Sequence, residues 1–140
     1  MSIYTLSETA SDREAEALAA KENKADIIAG IDMRGETHQV STILIDLAQR
    51  ETKNLSATLA RSMIDELGRD RRLLPKPHRF AGFAVLTAPD VPSVLIELGY
   101  LSNRTDEREL LDAGHRQRVA RGITRALDRY FVGRERPRRS

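Results

Sequence analysis

The chain has no cysteine, no tryptophan, three histidines and only 4% aromatic residues in its 140 positions. Without cysteine there are no disulfides, no thiolate zinc sites and no cysteine nucleophile, and the redox compartment is left open. So few aromatics give bases little to stack on, and nucleic acid is not an expected partner. An Arg-rich end (Arg134, Arg136, Arg138 and Arg139) accounts for much of the basic balance; residues 133–140 read as a disordered, solvated tail. No run approaches the ~18 apolar residues of a membrane-spanning helix, and the amino terminus lacks the basic-then-apolar pattern of an export signal. Neither a span nor a signal is expected within these residues. What is present, 40% hydrophobic residues and a net charge of +2, suits one folded domain with an ordinary core.

Along the chain, Ser2–Leu6 (SIYTL) has the β-branched character of a short strand. Ser11 and Glu14 have capping-box spacing, and Ala15, Leu18 and Ala19 then form the apolar stripe of a helix reaching about Lys24. Residues 25–38 hold two glycines and three acidic residues and read as a short helix plus a mobile loop. The helical period returns at Val40, Ile43, Leu44, Leu47 and Ala48, then Leu55, Leu59, Met63, Ile64 and Leu67, with Gly68 as a stop. This predicts one long helix, or two in tandem near residues 52–56. Residues 69–79 read as a polar connection. Asn103 or Thr105 is placed to cap a further helix with Asp106 and Glu107 in its first turn. A last helix from about His115 puts Val119, Ala120, Ile123, Ala126, Leu127, Tyr130 and Phe131 on one docking face. Strands separated by helices predict an α/β layer arrangement.

Residues 83–103, FAVLTAPDVPSVLIELGYLSN, carry the functional signal. Two aliphatic runs, 83–87 and 93–98, flank a proline-punctuated turn and predict two strands, the second apolar on both faces. That second run ends in Glu97, just before Gly99 and Ser102-Asn103. A carboxylate there is either neutralised by a structural partner or stands at the mouth of the sheet, where ligands and chemistry collect. His38, His78 and His115 show no metal-ligand spacing and read as ordinary histidines.

The run VLTAPDVPSVLIELGYLSN, the acidic helix after it and the IxxALxxYF pattern at residues 123–131 resemble the C-terminal half of bacterial zinc N-acetylmuramoyl-L-alanine amidases of the cell-division type. The resemblance runs in order from Ile3 to Phe131, so residues 1–132 correspond to the C-terminal part of an amidase catalytic domain. It implies a mostly parallel sheet flanked by helices, incomplete relative to the full domain. It implies zinc-dependent hydrolysis of the amide between N-acetylmuramic acid and L-alanine in peptidoglycan, in cell-wall remodelling at division. In this chain Glu97 aligns with the catalytic acid/base; Leu98 and Tyr100 depart from the usual neighbours. The family's zinc ligands lie in segments that precede SIYTLS and have no counterpart here, so no metal ligand is expected within this chain. The resemblance also implies a periplasmic location, with a signal upstream. A segment in the place of residues 22–38 covers the zinc in division amidases until an activator with a LytM-type domain displaces it. Glu22, Asp26, Asp32 and Glu36 are the candidates for an occluding carboxylate, and an ordinary solvated loop is the other reading. The alternative to an enzyme is a non-catalytic amidase remnant that binds cell wall or an activator.

Overall fold

The computed structural model describes residues 1–28, 42–70 and 72–135. Strand β1 (Ser2–Leu6) is followed by helix α1 (Arg13–Ile28), helix α2 (Thr42–Asp70), strand β2 (His78–Ala81), a 3-10 turn (Ala84–Leu86), strand β3 (Leu95–Glu97), helix α3 (Arg104–Leu111) and helix α4 (Ala113–Glu135). This is the expected α/β class. The sheet order is β2-β1-β3. Ile3 N–H donates to Pro77 O (2.8 Å) and Ser7 N–H to Ala81 O (3.0 Å), equal steps in the same sense, so β1 and β2 run parallel. The first residue of β1 meets the last residue of β3 through Ser2 Oγ and Glu97 Oε2. A three-residue strand alongside β1 can do so only by running the opposite way. The three strands therefore form a mixed sheet, and the expectation of a mostly parallel one is corrected.

The chain forms two compact units, one of residues 1–3, 58–78 and 96–140, the other of residues 4–57 and 79–95. The second unit is built on a small apolar core: Tyr4, Ala15, Ala19, Ala81, Phe83 and Leu86, with Leu6, Leu18 and Leu95 at its margin. The Tyr4 and Phe83 rings meet edge to face, 5.3 Å between centroids. The α1 stripe of Ala15, Leu18 and Ala19 faces this core as its spacing predicts. Its cap, however, is Asp12, whose Oδ1 accepts the Ala15 N–H at 2.9 Å. That bond, then the Ser11 hydroxyl and the nearby Arg79 charge, hold the Asp12 carboxyl below its ordinary range. Ser11 donates to Asp12 and accepts the Phe80 N–H. Glu14 leaves the capping box for Arg79, 2.9 Å away.

Two strand assignments need correcting here. Residues 69–79 were expected to be wholly connection, yet His78 and Arg79 begin β2. Arg79 is tolerated in a strand because its charge is answered. Burial works against that charge, but the bonds to Glu14 and Tyr4 and the proximity of Asp12 outweigh it and raise the guanidinium pKa. Its Nε lies 3.7 Å from Asp12, too far for a hydrogen bond. Residues 83–87 were expected to be a strand and instead form the 3-10 turn. The reason is Asn23 on α1, whose amide nitrogen donates to Gly82 O and whose oxygen accepts Ala84 N–H, both at 2.8 Å. With those groups engaged by a helix side chain, the segment closes on itself through Leu86 N–H to Phe83 O and Thr87 N–H to Ala84 O. On α2, Thr52 donates to Pro89 O and Ser56 accepts the Ser93 N–H, which hangs the loop leading into β3 on that helix.

The first unit is helical. Leu59, Ala60, Met63 and Leu67 of α2 and Val119, Ala126 and Tyr130 of α4 are buried, the 3.6-residue pattern expected. A Cβ on Gly122 of α4 would stand 2.8 Å from Leu67 Cδ2, so glycine permits the close approach. Buried Glu66 receives Arg69 (3.0 Å), Arg125 (3.2 Å) and Arg129 (3.5 Å), while Arg125 also reaches Asp70 at 2.7 Å. These pairs hold the turn past Gly68, so α2 is one helix that continues to Asp70 instead of stopping at the glycine. Leu47 and Phe131, expected to be docked, are 58% exposed each. Helix α4 reaches Glu135, so residues 133–135 of the expected tail are helical; 136–140 lie outside the described residues. Among the described residues no helix is long and apolar enough to cross a membrane.

Candidate active site

Glu97 is the last residue of β3, partly buried, and its carboxylate is met by a group far away in sequence. Ser2 Oγ donates to Glu97 Oε2 at 2.6 Å across 95 positions. Ser2 itself is wholly buried, at 0% exposure. Its backbone neighbours are tied as well: Ile3 N–H bonds Pro77 O, and Met1 O accepts the Leu74 N–H at 3.3 Å. The donor is therefore fixed before it meets the carboxylate. An ionised carboxylate only accepts, so the serine proton lies on the Glu97 side of the bond.

Beyond Glu97 the chain turns sharply. Asn103 N–H donates to Tyr100 O at 3.0 Å. Asn103 Oδ1 then accepts the N–H groups of Thr105 and Asp106 as the cap of α3, as its sequence position predicts. Asp106 Oδ2 accepts the Tyr100 N–H at 2.9 Å. A Cβ on Gly99 would stand 3.0 Å from Asp106 Cβ, a tight contact that glycine avoids. The result is a carboxylate on a strand end followed by a loop held rigid by its own side chains. A depression of about 860 Å³ is lined by Met1, Leu73, Tyr100, Asn103, Asp106 and Glu109 among others, and Glu97 is not part of its wall.

The other expected site residues do not join Glu97 into a visible constellation. Glu22 and Asp26 are partly buried on α1. Asp32, Glu36 and His38 lie outside the described residues. His78 opens β2, its pKa lowered first by burial and then by Arg61. His115 is buried in α4 with its backbone N–H bonded to Asp112. Among the described residues no three His, Cys, Asp or Glu side chains group to hold a metal ion, so the residues described do not fit a zinc centre. Ser2 was missed in the sequence. Its only signal is a hydroxyl opening an otherwise apolar, buried strand.

The sequence model of the family described as N-acetylmuramoyl-L-alanine amidase matches residues 3–129. This chain belongs to that family. It is 34% identical over 132 residues to the N-acetylmuramoyl-L-alanine amidase AmiC of Escherichia coli O6:H1, covering 94% of this chain and 31% of the relative. To AmiA of Escherichia coli K12 it is 34% identical over 131 residues, 93% of this chain and 45% of the relative. It is also 38% identical over 79 residues to a probable cell wall amidase, LytH, of Staphylococcus epidermidis, 56% of this chain and 27% of the relative. The chain thus spans less than half the length of each of these relatives.

Proposed function

We propose that this chain is the C-terminal part of the catalytic domain of a peptidoglycan amidase and that Glu97 is its general acid/base. The observation that carries this reading is a carboxylate fixed at a strand end inside the span that matches the amidase family. Water attacks the carbonyl of the amide between N-acetylmuramic acid and L-alanine, Glu97 takes the water's proton, and the same carboxyl returns it to the leaving amine of L-alanine. Residues 98–106 keep the strand end from drifting, since positioned groups lose much of their effect when displaced by ~1 Å. Zinc belongs to the reading through the family alone, and its ligands are expected in parts of the protein outside this chain.

A role in cell division, a periplasmic location and control by a LytM-domain activator extend the same reading. The segment of residues 22–38 then acts as the cover. Its first part is docked, because Asn23 is bonded to Gly82 and Ala84, so a deletion that preserves α1 should be confined to residues 29–38. The test uses the full-length protein and release of stem peptide from purified sacculi. Glu97→Gln keeps shape and should lower turnover by about 10²- to 10⁴-fold. Deleting 29–38 should raise the basal rate and make the activator redundant; a flat basal rate in a folded variant reduces the segment to a loop. Unchanged turnover by Glu97→Gln removes Glu97 from the mechanism. The second reading is a cell-wall or activator binding module; sacculus binding by a full-length protein that neither retains zinc nor releases peptide would establish it.

A further inference from the structure

We infer that Ser2 is a positioning residue for the proposed acid/base, acting through Glu97; the inference rests on the amidase reading above. The bond is short, 2.6 Å, and joins a fully buried hydroxyl to a partly buried carboxylate. A carboxylate that ends a strand can rotate about its side-chain bonds, and a base that rotates presents its lone pair to the substrate only part of the time. With Oε2 held by the hydroxyl, rotation of the carboxylate about its side-chain bonds is restricted, and the base is presented in a narrower range of directions. The donor is suited to this. Ser2 lies on the central strand, between β2 and β3, and the residues on either side of it are bonded to the segment from Leu74 to Pro77. A hydroxyl on such a backbone has little freedom, which is the supporting shell a catalytic group needs.

The experiment compares Ser2→Thr with Ser2→Val in the full-length protein. The two replacements have nearly the same shape, and only threonine keeps the donor, so any strain from the added methyl is common to both. Expected are a kcat near that of the parent for Ser2→Thr and a kcat about tenfold lower for Ser2→Val, with KM and melting midpoint alike in the two. Combining Ser2→Val with Glu97→Gln should add no loss to that of Glu97→Gln alone, because a residue that acts only through Glu97 has nothing left to act on. Equal kcat for the threonine and valine variants, or a valine penalty that persists undiminished in the Glu97→Gln background, overturns the inference. Either result leaves Glu97 as the acid/base, whereas a Glu97→Gln protein as active as the parent removes Glu97 from the mechanism and with it the premise on which the inference rests.

Discussion

Phe83 and Glu66 are almost equally withdrawn from solvent, 0% and 4% exposed, yet their surroundings have nothing in common. Phe83 sits among apolar side chains, edge to face with Tyr4; its own backbone is tied by turn bonds, and Gly82 and Ala84 on either side of it are tied by Asn23. Glu66 sits among three guanidinium groups. One unit of the chain is thus centred on apolar burial, with side-chain bonds to backbone and the Arg79 ion pairs beside it. The other adds charge to its helix packing. The difference decides how each should respond to mutation, salt and acid.

The largest contrast lies in truncation. Phe83→Ala should cost about 3–5 kcal/mol, the usual range for emptying a buried phenylalanine site, seen as an earlier denaturant midpoint. Glu66→Gln should cost on the order of 1 kcal/mol, because the arginines left without their carboxylate are half-exposed and water can take its place. The second loss should shrink in high salt and the first should not. Comparable losses, equally insensitive to salt, would erase the distinction between the units.

A smaller effect separates them by pH. The folded pKa of His78 is lowered by burial and Arg61, so the unfolded chain binds its proton more readily. Stability is complete above the ordinary value near 6.5 and falls as pH drops through the window below it. Asp12 is also lowered, but from 3.8, so the α1 cap contributes fully above that value and is lost only in stronger acid. Hydrogen exchange should therefore quicken around His78 in mild acid while α1 stays protected. His78→Gln should flatten the mild-acid part alone.

The same contrast explains what could be read from the chain by itself. Burial on one helical face repeats every three to four residues, so Leu59, Met63 and Leu67, and Val119, Ala126 and Tyr130, declare themselves. The small core of the other unit takes Tyr4, Ala81, Phe83 and Leu86 from short segments with no period, and only its α1 residues, Ala15 and Ala19, announce themselves by spacing. Residues 83–87 look like a strand because a short, mostly apolar run is common to strands and tight turns; the side chain that settles the matter, Asn23, is ~60 positions away. Residues 78 and 79 look like a connection because the ion partners of Arg79 are the distant Asp12 and Glu14. Glu97 could be singled out by its place at the end of an aliphatic run, but its partner could not, since nothing local links Ser2 to it. Leu47 and Phe131 fit the periodic stripe and are exposed all the same. A stripe marks where a partner surface would have to be and does not supply one.

The Ser2–Glu97 bond also bears on how the protein comes into being. Joining positions 95 apart closes a long stretch of chain, and such non-local contacts form late and slowly compared with helix turns. On a ribosome the serine emerges far ahead of the glutamate and must wait for it. Helices α1 and α2 can form in the interval, but β3, which brings the glutamate to β1, cannot. The proposed acid/base is then put in place by one of the last contacts to close.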